Sequence, residues 1–370
     1  MIYLDNASTT KTSSEVNQII ANALENDYFN PSALHTQGFS VGQKIKKARN
    51  SILNDIKAAG YSLIFTGSAT EANNMALAQS SRGKILVGAG EHPSVREKAK
   101  EMTQNGREVE FLPLNNQGEV DLAEFKRKMT ADVTFVSVQM VSNETGAINN
   151  IKEICKIAKS VNPKTIVHSD MVQALGKIPV NLKDLNIDMV SLSAHKISGP
   201  KGIGALVFKQ SLHPKPIIFG GGQENGLRSG TENVPQILAF KEAVSNAVAM
   251  QKEAYQNALN ARNYLIEGFK QNNLEFTIHG NGSPFVLSLS FAGLRGETLM
   301  HALEQDEILI STGSACSSKK IGNVTLEAMG CTKDDVLGNV RISFGQEKFD
   351  DQSLNTVINA ITKRVCELKK

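Results

Sequence analysis

Short apolar runs alternate along the N-terminal half of the chain with longer segments of helical period. The runs lack strict apolar-polar alternation, which is typical of strands buried on both faces of a sheet. Segments with the helical period, such as 95–104 and 151–161, lie between them. This order predicts an α/β fold with a mostly parallel sheet between helices. The predicted strands cover residues 63–65, 84–87, 109–112, 133–138, 165–168, 188–192 and 203–208.

The alternation of short strands and helices stops after residue 208. There a Gly-rich loop, FGGGQENGLRSGTENVP, leads into a long predicted helix over 235–269. This change predicts a large domain of residues 13–249 and a smaller α+β domain formed by 1–12 and 250–370. The smaller domain has predicted strands at 274–278 and 285–291, a helix at 297–305 and a last helix from Ser353. One face of the last helix carries apolar residues and should pack on the small domain. They are Leu354, Val357, Ile358, Ile361, Val365 and Leu368.

Composition narrows the class of protein. The 370 residues are 41% hydrophobic and 21% charged, which is typical of globular proteins and excludes disorder, collagen and coiled coil as the main architecture. No apolar run approaches the roughly 20 residues of a membrane span, and the N-terminus has no apolar signal region, so neither membrane insertion nor secretion is expected. Forty basic and 37 acidic residues are interspersed, so no direct nucleic-acid interface is expected.

The cysteines and histidines show no metal-ligand spacing, and no metal site is expected. Four cysteines are too few for a disulfide scaffold, which favours a reducing cytoplasm. Cys155 and Cys366 are predicted to pack in apolar helix faces, and Cys331 is interpreted as structural. Four histidines outside the motifs below are interpreted as surface or satisfied core positions: His168, His213, His279 and His301.

Two residues at predicted strand ends could serve a pyridoxal cofactor. Lys196 lies in SLSAHKISGPKGIGALVF, where a buried amine could bond to an aldehyde, although taken alone it could be an ordinary surface lysine. Asp170 ends the strand TIVHSD and is followed by Gln173. A carboxylate can keep a pyridine nitrogen protonated. Asp170 could equally cap a following helix.

A phosphate cradle is indicated in FTGSATEANN, where a strand leads into a helix whose first backbone N–H groups are unpaired. The alternative is a simple capping box of Ser68 and Glu71. His92, in GEHPSV, follows another strand. All these residues should meet at one sheet edge, where ligands of such folds bind.

These motifs together resemble the cysteine desulfurases, which are NifS/IscS-like members of the class-V aminotransferase family of pyridoxal-phosphate enzymes. The similarity runs from YLDNASTT at residue 3 to RISFG at Arg341. It includes, in order, NPSALHTQG, SATEANN, EHPSV, SNETG, SAHKISGPKGIG, GGGQENGLRSGT and STGSACSS. The resemblance implies a fold-type I pyridoxal-phosphate transferase. His35 belongs to one of the motifs, but no role is assigned to it.

The resemblance also implies roles for individual residues. Lys196 holds pyridoxal 5'-phosphate covalently and moves the substrate α-proton, and Asp170 pairs with the ring nitrogen. Gln173 donates to the ring hydroxyl, and His92 stacks on the ring opposite Val172. The phosphate ligands are Ala69, Thr70, Ser193 and His195, with Thr231 reaching over from the neighbouring subunit of a homodimer. Asn143 and Arg341 grip the substrate carboxylate.

Cys316 distinguishes a desulfurase from other pyridoxal enzymes. It lies in the small and polar run STGSACSSKKIGN, which predicts a mobile loop over 314–323 of the long-loop subgroup. In the implied reaction, a Cys316 thiolate takes sulfur from L-cysteine as a persulfide, alanine is released, and the loop carries the sulfur to an acceptor protein.

Two other classes compete with this hypothesis. A selenocysteine lyase or transaminase of the same fold would leave Cys316 incidental, and a noncatalytic scaffold would lack the cofactor. The sulfur acceptor stays open between an iron-sulfur scaffold, a tRNA-thiolating sulfurtransferase and a thiamine-pathway carrier. The chain ends soon after its last helix, whereas longer relatives of the resembled family carry a further tail that helps to dock an iron-sulfur scaffold. The resemblance therefore leaves this partner open as well.

Overall fold

The computed structural model of the protein describes residues 1–312 and 322–369. The strands in this part of the chain are β1 (Ile2–Tyr3), β2 (Tyr61–Thr66), β3 (Lys84–Gly88), β4 (Val109–Leu112), β5 (Val133–Ser137), β6 (Ile166–Asp170), β7 (Met189–Ser193), β8 (Gly204–Lys209), β9 (Thr277–His279), β10 (Val286–Ser290), β11 (Ile308–Leu309) and β12 (Asn339–Ser343). The helices are α1 (Ser14–Asn26), α2 (Thr36–Asp55), α3 (Ala69–Leu77), α4 (Pro93–Gln104), α5 (Leu122–Lys128), α6 (Ile151–Val161), α7 (Leu182–Leu185), α8 (Val234–Gln271), α9 (Gly296–Glu304), α10 (Val324–Ala328), α11 (Lys333–Leu337) and α12 (Asp351–Leu368).

The large sheet has the strand order β2-β8-β7-β6-β5-β3-β4. Strand β8 runs antiparallel to both neighbours, β2 and β7, and the other neighbouring pairs are parallel. Apolar side chains fill both faces of this sheet, which explains the unbroken apolar runs in the sequence. The predicted α/β fold with a mostly parallel sheet is confirmed.

The C-terminal part of the chain forms a smaller antiparallel sheet of order β12-β10-β9. The first residues of the chain lie beside this sheet. Strand β1 pairs with β11 in a separate two-stranded parallel sheet, and Asp5 forms a bridge with Ser343 of β12. A separate apolar cluster joins Leu4, the C-terminal half of α8 and α12. The domain limits 13–249 and 1–12 with 250–370 stay a prediction.

Helix α12 buries the predicted apolar face with one exception. Leu354, Val357, Ile358, Ile361 and Val365 are buried, and the prediction for Leu368 is wrong because it is 36% exposed. The prediction for Cys366 is also wrong, because its thiol is exposed. Cys366 follows the buried Val365 by one residue and therefore lies about 100° around the helix from it, which turns the thiol away from the buried face.

Three residues interpreted as structural or core positions, Cys155, His168 and Cys331, are buried or partly buried. Cys155 is 1% exposed in the buried face of α6. His168 is buried between the hydroxyls of Ser137 (2.9 Å) and Ser191 (3.0 Å). Cys331 is partly buried, with its sulfur 3.6 Å from Nδ1 of His279.

Within the described ranges, no helix is both long and apolar enough to cross a membrane. In the same residues, no three or more His, Cys, Asp or Glu side chains are grouped so that they could hold a metal ion.

Candidate active site

A cavity of about 320 Å³ lies at the carboxyl ends of the parallel strands. Asp170 and Ser193 end β6 and β7, and the loops after β2, β3 and β5 complete its wall. This is the sheet edge at which ligands of such folds bind. The predicted site residues in its lining are Ala69, Thr70, His92, Asn143, Asp170, Gln173, Ser193, His195, Lys196 and Arg341.

The predicted phosphate cradle is the start of α3. Ser68 caps the helix, and its hydroxyl accepts a hydrogen bond from the N–H of Glu71 at 3.2 Å. The capping box is only half formed, because the Glu71 carboxylate accepts the N–H of Gly67 at 2.8 Å instead of returning to Ser68. Because no helical turn precedes Ala69 and Thr70, their N–H groups have no partner within α3 and suit an anion.

Glycine at position 204 allows the start of α3 to pack closely against β7 and β8. A Cβ atom there would lie 2.7 Å from the backbone nitrogen of Ala69 and 2.8 Å from the carbonyl oxygen of Leu192. These distances are shorter than van der Waals contact, so a side chain would displace the start of α3.

Asp170 is held as an acceptor in the floor of the cavity. It is 7% exposed, and its Oδ1 accepts the N–H of Val172 at 2.9 Å. Its Oδ2 accepts a hydrogen bond from the side chain of Asn73 at 2.7 Å. Asp170 caps no helix, since the residues after it form turns until α7 begins. No ion pair among the described residues involves this carboxylate, so it suits a protonated ring nitrogen.

Lys196 ends a short 3-10 helix, Ala194–Lys196, directly after β7. Its Nζ donates to the carbonyl oxygen of Ala7 at 2.6 Å and to that of Ser8. The first strand and its following turn thus hold the lysine in the cavity. The alternative of an ordinary surface lysine does not fit this position.

Both imidazoles in the cavity favour the neutral form. Burial lowers the pKa of His92, with a further lowering by Lys196 and Arg96 against an opposing effect of Asp170. Its Nδ1 accepts the N–H of Ser94 at 3.1 Å, which assigns the proton to Nε2. Burial, reinforced by Lys196, lowers the pKa of His195 to about 4.

Arg341 lies on β12, where the small sheet borders the cavity. Its guanidinium donates to the carbonyl oxygen of Asn143 at 2.9 Å and to the hydroxyl of Ser8 at 2.8 Å. The carboxylates of Asp5 and Glu144 lie 3.1 and 3.5 Å from it. Burial raises the pKa of Glu144, which also accepts the amide of Asn143 at 2.6 Å.

Two predicted residues are not among those that line this cavity. Thr231 lines a second cavity of about 210 Å³ together with Thr66 and Gly67. Its expected role in a neighbouring subunit stays a prediction. Cys316 lies outside the described residues, as does most of the segment 314–323 for which mobility was predicted; Gly322 and Asn323 line the cavity.

The sequence did not predict two polar residues, Asn73 and Ser94, that hydrogen-bond to the predicted site residues. Asn73 is fully buried and donates to both Asp170 and the hydroxyl of Ser94 (2.8 Å), which lies 2.8 Å from Nδ1 of His92. The available signal was a polar residue on the buried face of α3, between Ala72 and Met75. Such a residue needs a partner inside the protein.

The fold and the cavity define an α/β enzyme in which a helix N-terminus, a buried carboxylate and a lysine meet at one sheet edge. The family model "Aminotransferase class-V" matches residues 2–352. Cysteine desulfurase IscS 1 of Archaeoglobus fulgidus is 36% identical over 95% of this chain and 94% of its own length. Cysteine desulfurase IscS of Dictyoglomus turgidum is 34% identical over 93% of this chain and 89% of its own length.

Solved structures give the same result. A NifS-like protein superposes with a TM-score of 0.93 at 31% identity, covering 99% of this chain and all of the other. The chain therefore belongs to the class-V aminotransferase family, and within it to the pyridoxal-phosphate-dependent cysteine desulfurases, which release the sulfur of L-cysteine and leave L-alanine.

Proposed function

We propose that the enzyme converts L-cysteine to L-alanine with the cavity residues described above and holds the sulfur as a persulfide on Cys316. The observation that carries this proposal is the grouping of Lys196, Asp170 and Arg341 around one cavity. These are an amine, an anion and a cation, as covalent cofactor attachment, a pyridine nitrogen and a substrate carboxylate require.

The residues fit pyridoxal 5'-phosphate on three independent features. Asp170 is a buried carboxylate without a cationic partner among the described residues. The start of α3, with Ala69 and Thr70, lines the cavity and offers the N–H groups of its first turn to a phosphate. Lys196 lines the same cavity as both of these groups. When bound, the cofactor supplies the electron sink that stabilises negative charge at the substrate α-carbon.

The remaining work falls to the protein. Ala69, Thr70, Ser193 and His195 receive the phosphate, and Gln173 donates to the ring hydroxyl. His92, with its proton on Nε2, presents a neutral ring for stacking. Arg341 and Asn143 orient the substrate through its carboxylate, and the Lys196 amine takes and returns the α-proton.

The sulfur step is assigned to Cys316. Its thiolate forms an S–S bond with the substrate sulfur as the substrate C–S bond breaks. The electron pair of the broken bond stays with the carbon, which takes a proton and becomes the methyl group of alanine. One thiol and one cysteine give one persulfide and one alanine, so no external oxidant or reductant is needed.

The proposal also includes the sulfur acceptor, the cellular compartment and the oligomeric state. A sulfur-acceptor protein, either an iron-sulfur scaffold or a tRNA sulfurtransferase, then removes the sulfur in the cytoplasm. A homodimer would let Thr231 complete the phosphate site of the partner. Its exposed position beside the second cavity supports such a reach.

The test is incubation of the purified, cofactor-loaded protein with L-cysteine, followed by alanine quantification and mass-spectrometric mapping of added sulfur after alkylation. We expect alanine and one extra sulfur on Cys316. Cys316→Ala should keep the cofactor's visible absorbance and lose alanine formation. Full alanine production by that variant would refute the role of Cys316. Absorbance without alanine from the unaltered protein would overturn the substrate, and failure to bind the cofactor would favour a noncatalytic scaffold.

A further inference from the structure

Lys177 is a buried lysine that the proposed reaction does not use. It is 3% exposed and follows Gly176 in the turns after β6. Its Nζ donates to Oε1 of Gln173 at 2.6 Å. None of the ion pairs among the described residues includes it, and its other neighbour is the ring of Phe285, 5.9 Å away.

Such a lysine is costly to the fold. Burial of an ammonium without a carboxylate is unfavourable, and an apolar side chain of similar length would pack at this position without that cost. Burial lowers the pKa of Lys177 to about 7, with Lys196 and Arg341 adding to the effect. The lysine therefore needs an explanation other than stability.

The hydrogen bonds of the Gln173 side chain explain why a lysine is present at position 177. Its Oε1 accepts from Lys177, and its Nε2 donates to the carbonyl oxygen of Ala7 at 2.9 Å. The same Ala7 oxygen accepts from Lys196 at 2.6 Å. An amide side chain can otherwise turn over and exchange its oxygen and nitrogen, but a protonated lysine can only donate. The Lys177 contact thus fixes which end of the amide faces each partner.

We infer that Lys177 is a positioning residue, which holds the amide of Gln173 so that its nitrogen faces the cavity and Ala7. This inference rests on the proposed function, in which Gln173 donates to the ring hydroxyl of the cofactor. The amide nitrogen carries two hydrogens, so one remains for that hydroxyl after Ala7 is satisfied. With the amide reversed, its oxygen would face the carbonyl oxygen of Ala7, and its nitrogen would face the ammonium of Lys177.

The test is a double-mutant cycle of Lys177→Met and Gln173→Leu, measured on the cofactor and not on turnover. The readouts are the dissociation constant for pyridoxal phosphate and the pH midpoint of the bound cofactor's visible absorbance change. Lys177→Met should weaken cofactor binding about tenfold, as expected for a lost hydrogen bond from a charged donor, and shift the pH midpoint. In the Gln173→Leu background the same change should have less than about a twofold effect.

Lys159→Met is the matched control. Lys159 pairs with Asp188 just before β7, at the opposite sheet edge from the cavity. This change should leave both readouts unaltered. Should Lys177→Met not fold, Lys177→Gln, whose side chain ends one bond nearer the backbone, takes its place with the same comparison.

The outcomes separate the two proposals. Equal losses from the Lys177 change with and without Gln173, or no loss in either background, would overturn the positioning role while leaving the enzyme's function intact. Failure of the unaltered protein to acquire the visible band with pyridoxal phosphate would overturn both.

Discussion

The side chain of Asn73 donates a 2.7 Å hydrogen bond to the carboxylate of Asp170. The same nitrogen donates to the Ser94 hydroxyl, which in turn lies 2.8 Å from Nδ1 of His92. One buried amide therefore connects the carboxylate proposed to pair with the ring nitrogen and the imidazole proposed to stack on the ring. Changes at Asn73 should act on the cofactor through both residues.

Asn73→Leu should weaken binding of pyridoxal phosphate about tenfold, because Asp170 loses a donor that holds its carboxylate in place. The dissociation constant, measured by titrating apoprotein with cofactor, checks this. Asn74→Leu is the control, since Asn74 lies on the same helix but contacts backbone oxygens of Thr70 and Ser94 and not Asp170. An equal loss in both variants would indicate general damage to α3.

Gly204→Ala should destabilise the protein by about 1–3 kcal/mol and weaken cofactor binding, because its Cβ would overlap the start of α3. Thermal unfolding with and without pyridoxal phosphate separates the two effects. At Gly202 an added Cβ meets nothing within 4 Å, although φ is +82°. Gly202→Ala should therefore lower stability and leave cofactor affinity unchanged. Unchanged affinity in Gly204→Ala would show that the phosphate lies elsewhere.

Arg341→Lys should raise KM for L-cysteine about tenfold or more while the cofactor band persists, because an ammonium cannot replace the two-pronged guanidinium contact with a carboxylate. Steady-state alanine formation gives KM and kcat. Arg364→Lys is the matched control, since Arg364 makes a two-pronged contact with Asp306 outside the cavity. If KM for L-cysteine is unaltered by Arg341→Lys, the substrate carboxylate is held by another group.

His168→Gln should reduce the loss of stability between pH 7 and pH 5. Burial lowers the pKa of His168 to about 3, whereas the unfolded chain has a pKa of about 6.5. Between these values the unfolded state binds the proton, so His168 makes stability fall as the pH falls, by at most about 1.4 kcal/mol per pH unit. Denaturant unfolding of both proteins at pH 7, 6 and 5 measures the difference. Parallel pH dependences would mean that His168 is not neutral in the native state.

The sequence was most informative where one physical requirement dominates. The apolar runs at 84–87 and 133–138 correspond to β3 and β5 because strands buried on both faces cannot alternate with polar residues. Lys196 and Asp170 were identified because strand ends of one sheet converge on a shared edge.

Sequence patterns could not predict which side chains from distant segments of the chain contact each other. The capping-box interpretation of Ser68 and Glu71 could not account for Arg228, which lies 2.8 Å from the Glu71 carboxylate across a long sequence separation. Cys366 has the apolar neighbour Val365, but it lies about 100° around α12 from that buried residue and is exposed. The role of Asn73 required the fold because its partner Asp170 lies on another element. Lys177 contacts Gln173 only four residues away, and the structure was needed to show that it is buried.

Alkylation of the native protein should mark Cys366 at least about a hundredfold faster than Cys155. Cys366 is exposed, whereas burial raises the pKa of Cys155 to about 12 and leaves almost no thiolate at neutral pH. Peptide mapping after timed alkylation gives the two rates, and both thiols should react alike in denaturant. Labelling of Cys155 at the rate of Cys366 would mean that α6 opens in the native state.

The same peptide map tests the sulfur chemistry, because an exposed Cys366 can take up sulfane sulfur by exchange. Sulfur on Cys366 that disappears in Cys316→Ala would identify it as secondary to Cys316.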